Sequence, residues 1–80
     1  MERPLLVYTT FPDAASALSI GEALVRERLI ACINVLPGMR SVYSWKGAVE
    51  HGEEVAAILK SRTGLADALS VALKARHPYD

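Results

Sequence analysis

Three side chains in this sequence, one cysteine and two histidines, belong to the classes that bind copper and zinc. His51 lies in a strongly polar stretch near the predicted turn and is expected to be an exposed side chain without a ligand role. Cys32, the only cysteine, carries a thiol, and His77 carries an imidazole close to the C-terminus. Both groups are good ligands for these metals. No Cys-Xaa-Xaa-Cys pair or histidine-rich run accompanies them, so one chain cannot build the usual closed zinc site. Copper or another divalent cation held here would be weakly bound, with further ligands from water or a second chain.

Cys32 and His77 each also have a structural interpretation. Cys32 stands in an alternating apolar pattern, where a free cysteine is most often a small buried side chain. His77 precedes Pro78 at the end of a helical pattern. In that position a cation interacts favourably with the helix dipole, and the proline ends the helix. A ligand role and a structural role therefore both stay open for Cys32 and for His77.

A second set of side chains combines aromatic rings with charges. Tyr43 and Trp45 alternate onto one face of a predicted strand, next to a turn. Large aromatic side chains with a polar tip suit either a subunit interface or a ligand cleft. Glu53, Glu54 and Lys60 are ordinary solvated side chains on a small protein, although a carboxylate and an amine that project into one cleft could bind a charged small molecule.

Charge and composition exclude several classes of function. Nine basic and nine acidic side chains give a net charge of +0, so there is no positive field to attract nucleic acid or an anionic membrane. The sequence has no nucleophile elbow, phosphate-binding glycine loop or pair of acids at helical spacing, which argues against an enzyme. The apolar run at residues 5–8 is too short for a signal peptide or a membrane span. We therefore expect a cytoplasmic, non-catalytic protein.

The strands that must position these residues follow from the periodicity. Residues 5–10 and 49–61 have the composition of strands, and residues 31–45 alternate with a period of two. The Pro-Gly pair at residues 37–38 predicts a bulge, because proline cannot donate to a β-ladder and glycine tolerates unusual backbone angles. Residues 45–48 are predicted to form the hairpin turn between the second and third strands.

Two segments show helical spacing. Asp13 is a suitable N-cap for the first. The predicted apolar face of this helix consists of Ala17, Leu18, Gly21, Leu24, Val25 and Leu29. Gly21 either lets this helix approach a sheet closely or is a tolerated glycine without a role. The second helix is predicted to begin at Thr63 and to end at the last proline of the chain.

The order strand, helix, strand, strand, helix predicts an α+β fold. It fits the ferredoxin-like, or split βαβ, plan, an antiparallel sheet with two helices on one face and a fourth strand after the second helix. Only Tyr79 and Asp80 follow that helix, so residues 1–80 are expected to form one domain truncated at the C-terminus. A domain of 80 residues buries little surface by itself, which favours association with further copies.

Several segments together resemble the CutA family of divalent-cation tolerance proteins. They span nearly the whole chain: Thr10-Phe11-Pro12-Asp13, Glu27-Arg28-Leu29-Ile30-Ala31-Cys32-Ile33-Asn34, Leu36-Pro37-Gly38, Ser41-Val42-Tyr43-Ser44-Trp45-Lys46-Gly47, Glu53-Glu54-Val55, Ile58-Leu59-Lys60-Ser61 and His77-Pro78-Tyr79. The resemblance implies a homotrimer with the architecture of PII signalling proteins, in which long hairpins wrap neighbouring subunits. It also implies a link to copper and other divalent cations.

The resemblance implies roles for particular residues. His77 lies in the His-Pro-Tyr motif and becomes the preferred metal ligand, ahead of Cys32. The trimer places a cleft between subunits, for which the candidate lining residues are Tyr43, Trp45, Glu54, Lys60 and Tyr79.

The resemblance and the fold that it implies suggest three functions, in order of preference. The first is a trimeric copper-tolerance or copper-binding protein without catalysis. The second is a PII-like signalling module that binds a small anionic metabolite in the inter-subunit clefts. The third is a hydrolase of the acylphosphatase type, ranked last because residues 9–13 contain no glycine or arginine to hold a phosphate.

Overall fold

The elements occur in the predicted order. A computed structural model describes residues 2–78, so the prediction for Tyr79 lies outside the described residues. The chain forms β1 (Pro4–Phe11), α1 (Ala14–Arg26), β2 (Cys32–Trp45), β3 (Ala48–Arg62), a 3₁₀ turn (Thr63–Leu65) and α2 (Ala66–Arg76).

The three strands form an antiparallel sheet in the order β1-β3-β2. Because side chains alternate along a strand, Val55, Ala57 and Leu59 of β3 all point to one face, where they are buried. Leu24 of α1 and Leu69 of α2 belong to the same core cluster, so both helices cover this face. The α+β class is confirmed, while the fourth strand of the ferredoxin-like plan stays a prediction.

Helix α1 begins and packs as its sequence predicts. Asp13 is its N-cap, with the Oδ1 atom accepting a hydrogen bond of 2.7 Å from the backbone N–H of Ser16. Gly21 is buried against β2, where an added Cβ atom would lie 2.6 Å from Cγ2 of Ile33. Gly21 therefore has the packing role that its place on the apolar face suggested.

The buried stripe of α1 is narrower than predicted. Ala17, Gly21 and Leu24 are buried, whereas Leu18 and Val25 are 57% and 41% exposed. These two residues flank the stripe, and a helix on the side of a small sheet contacts it along one row of side chains. The expectation that Leu18 and Val25 face the core was wrong for the single chain.

Helix α2 starts three residues later than predicted. Thr63 opens the 3₁₀ turn, and its backbone N–H donates to the carbonyl of Arg3 at 2.9 Å. The Thr63 hydroxyl oxygen accepts from the backbone N–H of Arg3 at 3.1 Å. Thr63 therefore binds the start of β1 rather than capping an α-helix, which begins at Ala66.

The β2–β3 hairpin is long and extends beyond the rest of the sheet. Its register shifts between Leu36 and Met39, which confirms the predicted bulge, and Gly38 has a φ of 80°. The turn residues Lys46 and Gly47 both have positive φ, as two-residue hairpin turns require. Since β1 ends at Phe11 opposite Val55, residues 39–54 form a two-stranded ribbon, which we term the arm.

The face of the sheet that carries no helix, which we term the open face, is largely apolar. The bulge inserts one residue, so Tyr43 and Trp45 lie on the same face as Leu36. The large exposed side chains of this face are Leu6, Tyr8, Leu36, Tyr43 and Trp45. Within residues 2–78, neither helix is long and apolar enough to cross a membrane.

Candidate functional site

A cleft of about 510 Å³ lies where the arm leaves β1. We term it the hairpin cleft. The end of β1 supplies one wall, and the antiparallel register of β2 and β3 places the arm's side chains opposite it. Its lining residues are Thr10, Pro12, Tyr43, Trp45, Gly52, Glu53 and Glu54.

The carboxylate of Glu54 gives the hairpin cleft a negative charge, whereas the adjacent residue, Glu53, alternates onto the helix-bearing face of β3 opposite Arg40. Glu54 accepts a hydrogen bond of 2.8 Å from the hydroxyl of Ser41, which holds its carboxylate on the open face. Glu53 is exposed, and its Oε1 lies 3.9 Å from Nη2 of Arg40. Such an exposed pair is weak, so Arg40 does not cancel the attraction of the site for cations.

The aromatic rings of the cleft add a second attraction for cations. Trp45 and Tyr43 are both partly exposed, and Nζ of Lys46 lies 5.7 Å from the centroid of the Trp45 ring. Cations are attracted to the faces of such rings. One face of the Trp45 ring already contacts the ammonium of Lys46, so the groups of the hairpin cleft that favour a cation are the Glu54 carboxylate and the ring of Tyr43.

A second concavity, of about 370 Å³, adjoins the hairpin cleft and is also lined by Glu53 and Glu54. Pro12 also lines both spaces, and Asp13 and Arg40 line only the second. By strand alternation, Glu53 projects to the side of the second concavity with Arg40, and Glu54 projects to the side of the hairpin cleft.

His77 is part of the fold's internal contacts. It is the C-cap of α2, and its backbone N–H donates to the carbonyl of Leu73 at 2.8 Å. Its Nε2 atom lies 3.0 Å from Oγ1 of Thr9, and its ring stacks on Phe11 with the centroids 4.7 Å apart. A metal at Nε2 would have to displace Thr9. The ligand role of His77 stays a prediction.

Cys32 and His77 lie on opposite faces of the sheet. Cys32 is half-buried on the open face, where it pairs with Lys60 in the register. His77 contacts Thr9, which pairs with the buried Ala57 on the helix face. A single chain therefore does not bring the two together, and within residues 2–78 no group of three metal-ligating side chains is placed to hold an ion.

The candidate cleft residues are only partly brought together in one chain. Tyr43, Trp45 and Glu54 line the same cleft. Lys60 lies six residues from Glu54 along β3, about 20 Å at the usual rise of a strand, so it does not line that cleft in the same chain. Its presence in a cleft between subunits stays a prediction.

Thr10 and Pro12 were not among the candidate residues, although they form one wall of the hairpin cleft. Their signal was the segment Thr10-Phe11-Pro12-Asp13, which was used only to support the resemblance. Their contact with the arm depends on the register between β1 and β3, in which Phe11 is the last residue of β1 to pair. A single sequence does not determine that register.

Residues 5–80 match the family described as CutA1 divalent ion tolerance protein. The divalent-cation tolerance protein CutA of Pyrococcus horikoshii is 49% identical over 76 residues, which cover 95% of this chain and 74% of that protein. Protein CutA 1, chloroplastic, of rice is 40% identical over 95% of this chain but only 43% of its own length. The crystal structure of CutA1 from Ehrlichia chaffeensis superposes with a TM-score of 0.95 at 36% identity, covering 100% of this chain and 75% of that one.

Proposed function

Since the chain belongs to the CutA1 divalent ion tolerance family, we propose that it is a non-catalytic, trimeric protein that binds divalent cations, copper foremost, in the cytoplasm. The observation that carries the proposal is the acidic hairpin cleft, in which Glu54 lies on the same face of the arm as the partly exposed rings of Tyr43 and Trp45.

The proposed trimer accounts for the exposed apolar surface. The arm is two-stranded, and an isolated two-stranded hairpin is marginally stable in water. Trp45 on one face of the arm and Val42 and Val49 on the other are all more than half exposed. Burying such side chains is favourable at roughly 25 cal/mol per Å², so we expect a neighbouring copy to cover them. A PII-like trimer with wrapped hairpins satisfies this requirement.

The proposed metal site is shared between subunits. Cys32 and His77 cannot meet in one chain because they lie on opposite faces of the sheet. Thr9 and Thr10 are neighbours on β1, so His77, bonded to Thr9, and the hairpin cleft, lined by Thr10, flank the same end of that strand. Ligands from a second subunit or from water would complete the coordination, and the affinity would be modest.

A PII-like module that binds a small anionic metabolite is the second candidate. Lys60 favours it, because this exposed ammonium lies on the open face, where a neighbouring subunit could bring it to another chain's cleft. The Glu54 carboxylate of the hairpin cleft opposes it, since like charges repel. Calorimetric titration with nucleotides and organic acids, in parallel with copper, separates the two candidates.

Copper titration of matched variants tests the metal ligands. His77→Ala should weaken copper binding and leave the assembly intact, whereas Cys32→Ser should chiefly change stability. Thr9→Val is the control for His77, because it removes the hydrogen-bond partner and keeps the imidazole, so copper should bind at least as tightly as to the parent. If His77→Ala binds like the parent and Cys32→Ser does not, the wrong residue has been assigned. If the parent binds no copper, the proposal fails.

A further inference from the structure

Another pocket lies at the end of β3 that is farthest from the arm, and its charge is opposite to that of the hairpin cleft. Its volume is about 290 Å³, and it lies between the end of α1, the start of β2 and the 3₁₀ turn. We term it the basic pocket. Its lining residues are Val25, Arg28, Ile30, Ala31, Ser61, Arg62 and Leu65.

Among residues 2–78, two guanidinium groups and no acidic side chain line the basic pocket. Nη1 of Arg62 lies 3.3 Å from Oε1 of Glu2 in an exposed pair, and the other oxygen of Glu2 accepts from the backbone N–H of Gly64 at 2.9 Å. Arg28 has no ion pair with any residue in the described range 2–78. The pocket therefore presents one guanidinium without a carboxylate partner and one that is only weakly paired.

The backbone of Arg28 is unusual for an arginine. Its φ is 60°, in the left-handed region that favours glycine. The backbone N–H of Arg28 donates to the carbonyl of Val25, and that of Leu29 to the carbonyl of Leu24, both at 3.0 Å. These two bonds define a Schellman motif, in which glycine is the usual residue at the position of Arg28. An arginine in this conformation makes the folded backbone less stable than a glycine would. Backbone strain of this kind is often found at functional sites.

The remaining walls are apolar and offer few other donors. Ile30 is buried, and Val25 is 41% exposed towards the space. The hydroxyl of Ser61 already donates to the carbonyl of Leu29 at 2.7 Å, and the backbone N–H of Ala31 donates to the carbonyl of Lys60 at 2.8 Å. Hydrogen bonds to an anion would thus come from the two arginines, whose planar groups suit the two oxygens of a carboxylate.

We propose that the basic pocket binds a small aliphatic carboxylate, with its charge on Arg28 and Arg62 and its tail against Val25 and Leu65. The volume lies near the lower end of ligand pockets, which fits a short chain. Ser61 is eight residues from Glu53 along β3, about 26 Å at the usual rise. The proposal is therefore independent of the cation function assigned to the hairpin cleft.

Titration of the full chain with hexanoate, followed by calorimetry and by backbone amide NMR shifts, tests this site. The parent should bind with shifts centred on residues 28–31 and 61–65. Arg28→Gly should bind at least about tenfold more weakly, the effect of losing one charge-assisted contact, while its melting temperature stays equal or rises. Arg62→Gln should also weaken binding. Arg26→Gln is the matched control, an exposed arginine that is paired with Glu22, and should bind like the parent.

Three further probes separate the parts of the proposal. Hexanol has a similar aliphatic tail but no charge, and acetate has the carboxylate but no long tail. Sulfate is an inorganic anion that tests for binding by charge alone. An affinity for hexanoate well above the affinities for hexanol, acetate and sulfate supports the proposed site. Equal binding of sulfate or acetate means an adventitious ion only and overturns the proposal. It is also overturned if the parent does not bind hexanoate at millimolar concentration, or if Arg28→Gly and Arg62→Gln bind it like the parent.

Discussion

Gly21 shows how one missing side chain sets the distance between α1 and the sheet. A Cβ atom at this position would lie 2.6 Å from Cγ2 of Ile33, well inside van der Waals contact. Gly21→Ala should therefore lower the free energy of unfolding by about 1–3 kcal/mol through overpacking, although alanine normally favours a helix over glycine by about 1 kcal/mol. Urea denaturation measures the change.

Gly52→Ala is the matched control for this prediction. Its added Cβ would meet Cε1 of Tyr43 at 3.5 Å, an ordinary contact, so its stability should differ little from that of the parent. If Gly21→Ala proved as stable as the parent, the helix would not be held against β2 as described.

Asp13 caps α1, and its pKa lies below the ordinary value of 3.8 because the backbone N–H and the side chain of Ser16 donate to it. A carboxyl whose pKa is lowered by folding stabilises the protein above its unfolded-state pKa and ceases to do so as the pH falls through the folded-state pKa. Asp13→Asn keeps a capping oxygen and removes the titration. Thermal melts should show Asp13→Ala below the parent at neutral pH, with the gap closing below about pH 4.

Asp13→Asn and Asp13→Ala together provide the control, because neither variant has a carboxyl group at this position. The difference between their melting temperatures should not depend on pH in this range. A gap between the parent and Asp13→Ala that stayed constant down to pH 2 would contradict the assignment of the pH dependence to this carboxylate.

The end of α2 is attached to β1 mainly through His77. Its ring forms a hydrogen bond with Oγ1 of Thr9 and stacks on Phe11. An exposed ion pair between Arg76 and Glu27, the C-cap of α1, is a further contact of this end of α2. A buried or half-buried hydrogen bond contributes about 1 kcal/mol. Thr9→Val should therefore lose about 1 kcal/mol of stability. Amide hydrogen exchange should become faster in the last turn of α2 and stay unchanged in α1.

Thr10→Val is the control for Thr9→Val, because Thr10 is the adjacent threonine and lies on the opposite face of β1. If the amide hydrogens in the last turn of α2 exchanged at the same rate in both variants, the hydrogen bond between His77 and Thr9 would not be what holds this end of the helix against β1.

At the level of elements, periodicity and turn chemistry were sufficient to predict the strands. The bulge at Pro37 and Gly38 and the turn at Lys46 and Gly47 are local features, because each depends on the backbone preferences of the residues that form it. The late start of α2 was not predictable in this way, since Thr63 is bound by Arg3 from the other end of the chain.

The candidate site was harder to predict than the elements. Tyr43, Trp45 and Glu54 meet because β2 and β3 pair locally. The bond between His77 and Thr9 joins residues that are 68 positions apart, and no local pattern in the sequence indicates it. The helical spacing predicted in the sequence continues through Leu29, so Arg28 was expected inside the helix. Its place beyond the end of α1 and its positive φ emerge only from the helix-ending hydrogen bonds.

At the level of the whole molecule, the open face should be the interface of the proposed trimer. Leu6 on this face is 65% exposed in the single chain, and Val71 on α2 is 71% exposed. Because both are exposed, an aspartate at either position leaves the fold of one chain intact. Leu6→Asp should shift the mass measured by light scattering towards the monomer, since a charge would be buried in the interface, whereas Val71→Asp should keep the mass of the parent. Equal masses for the two variants would place the interface elsewhere.

Native mass spectrometry of the chain with copper(II) tests the central proposal most directly, because it reports assembly and metal content in one spectrum. In the proposed function the metal is held by the assembly, and the acidic hairpin cleft and the exposed apolar arm support this proposal. The spectrum should show trimers that retain copper and monomers that are free of it. Monomers that each carry copper, or trimers that carry none, would contradict this account.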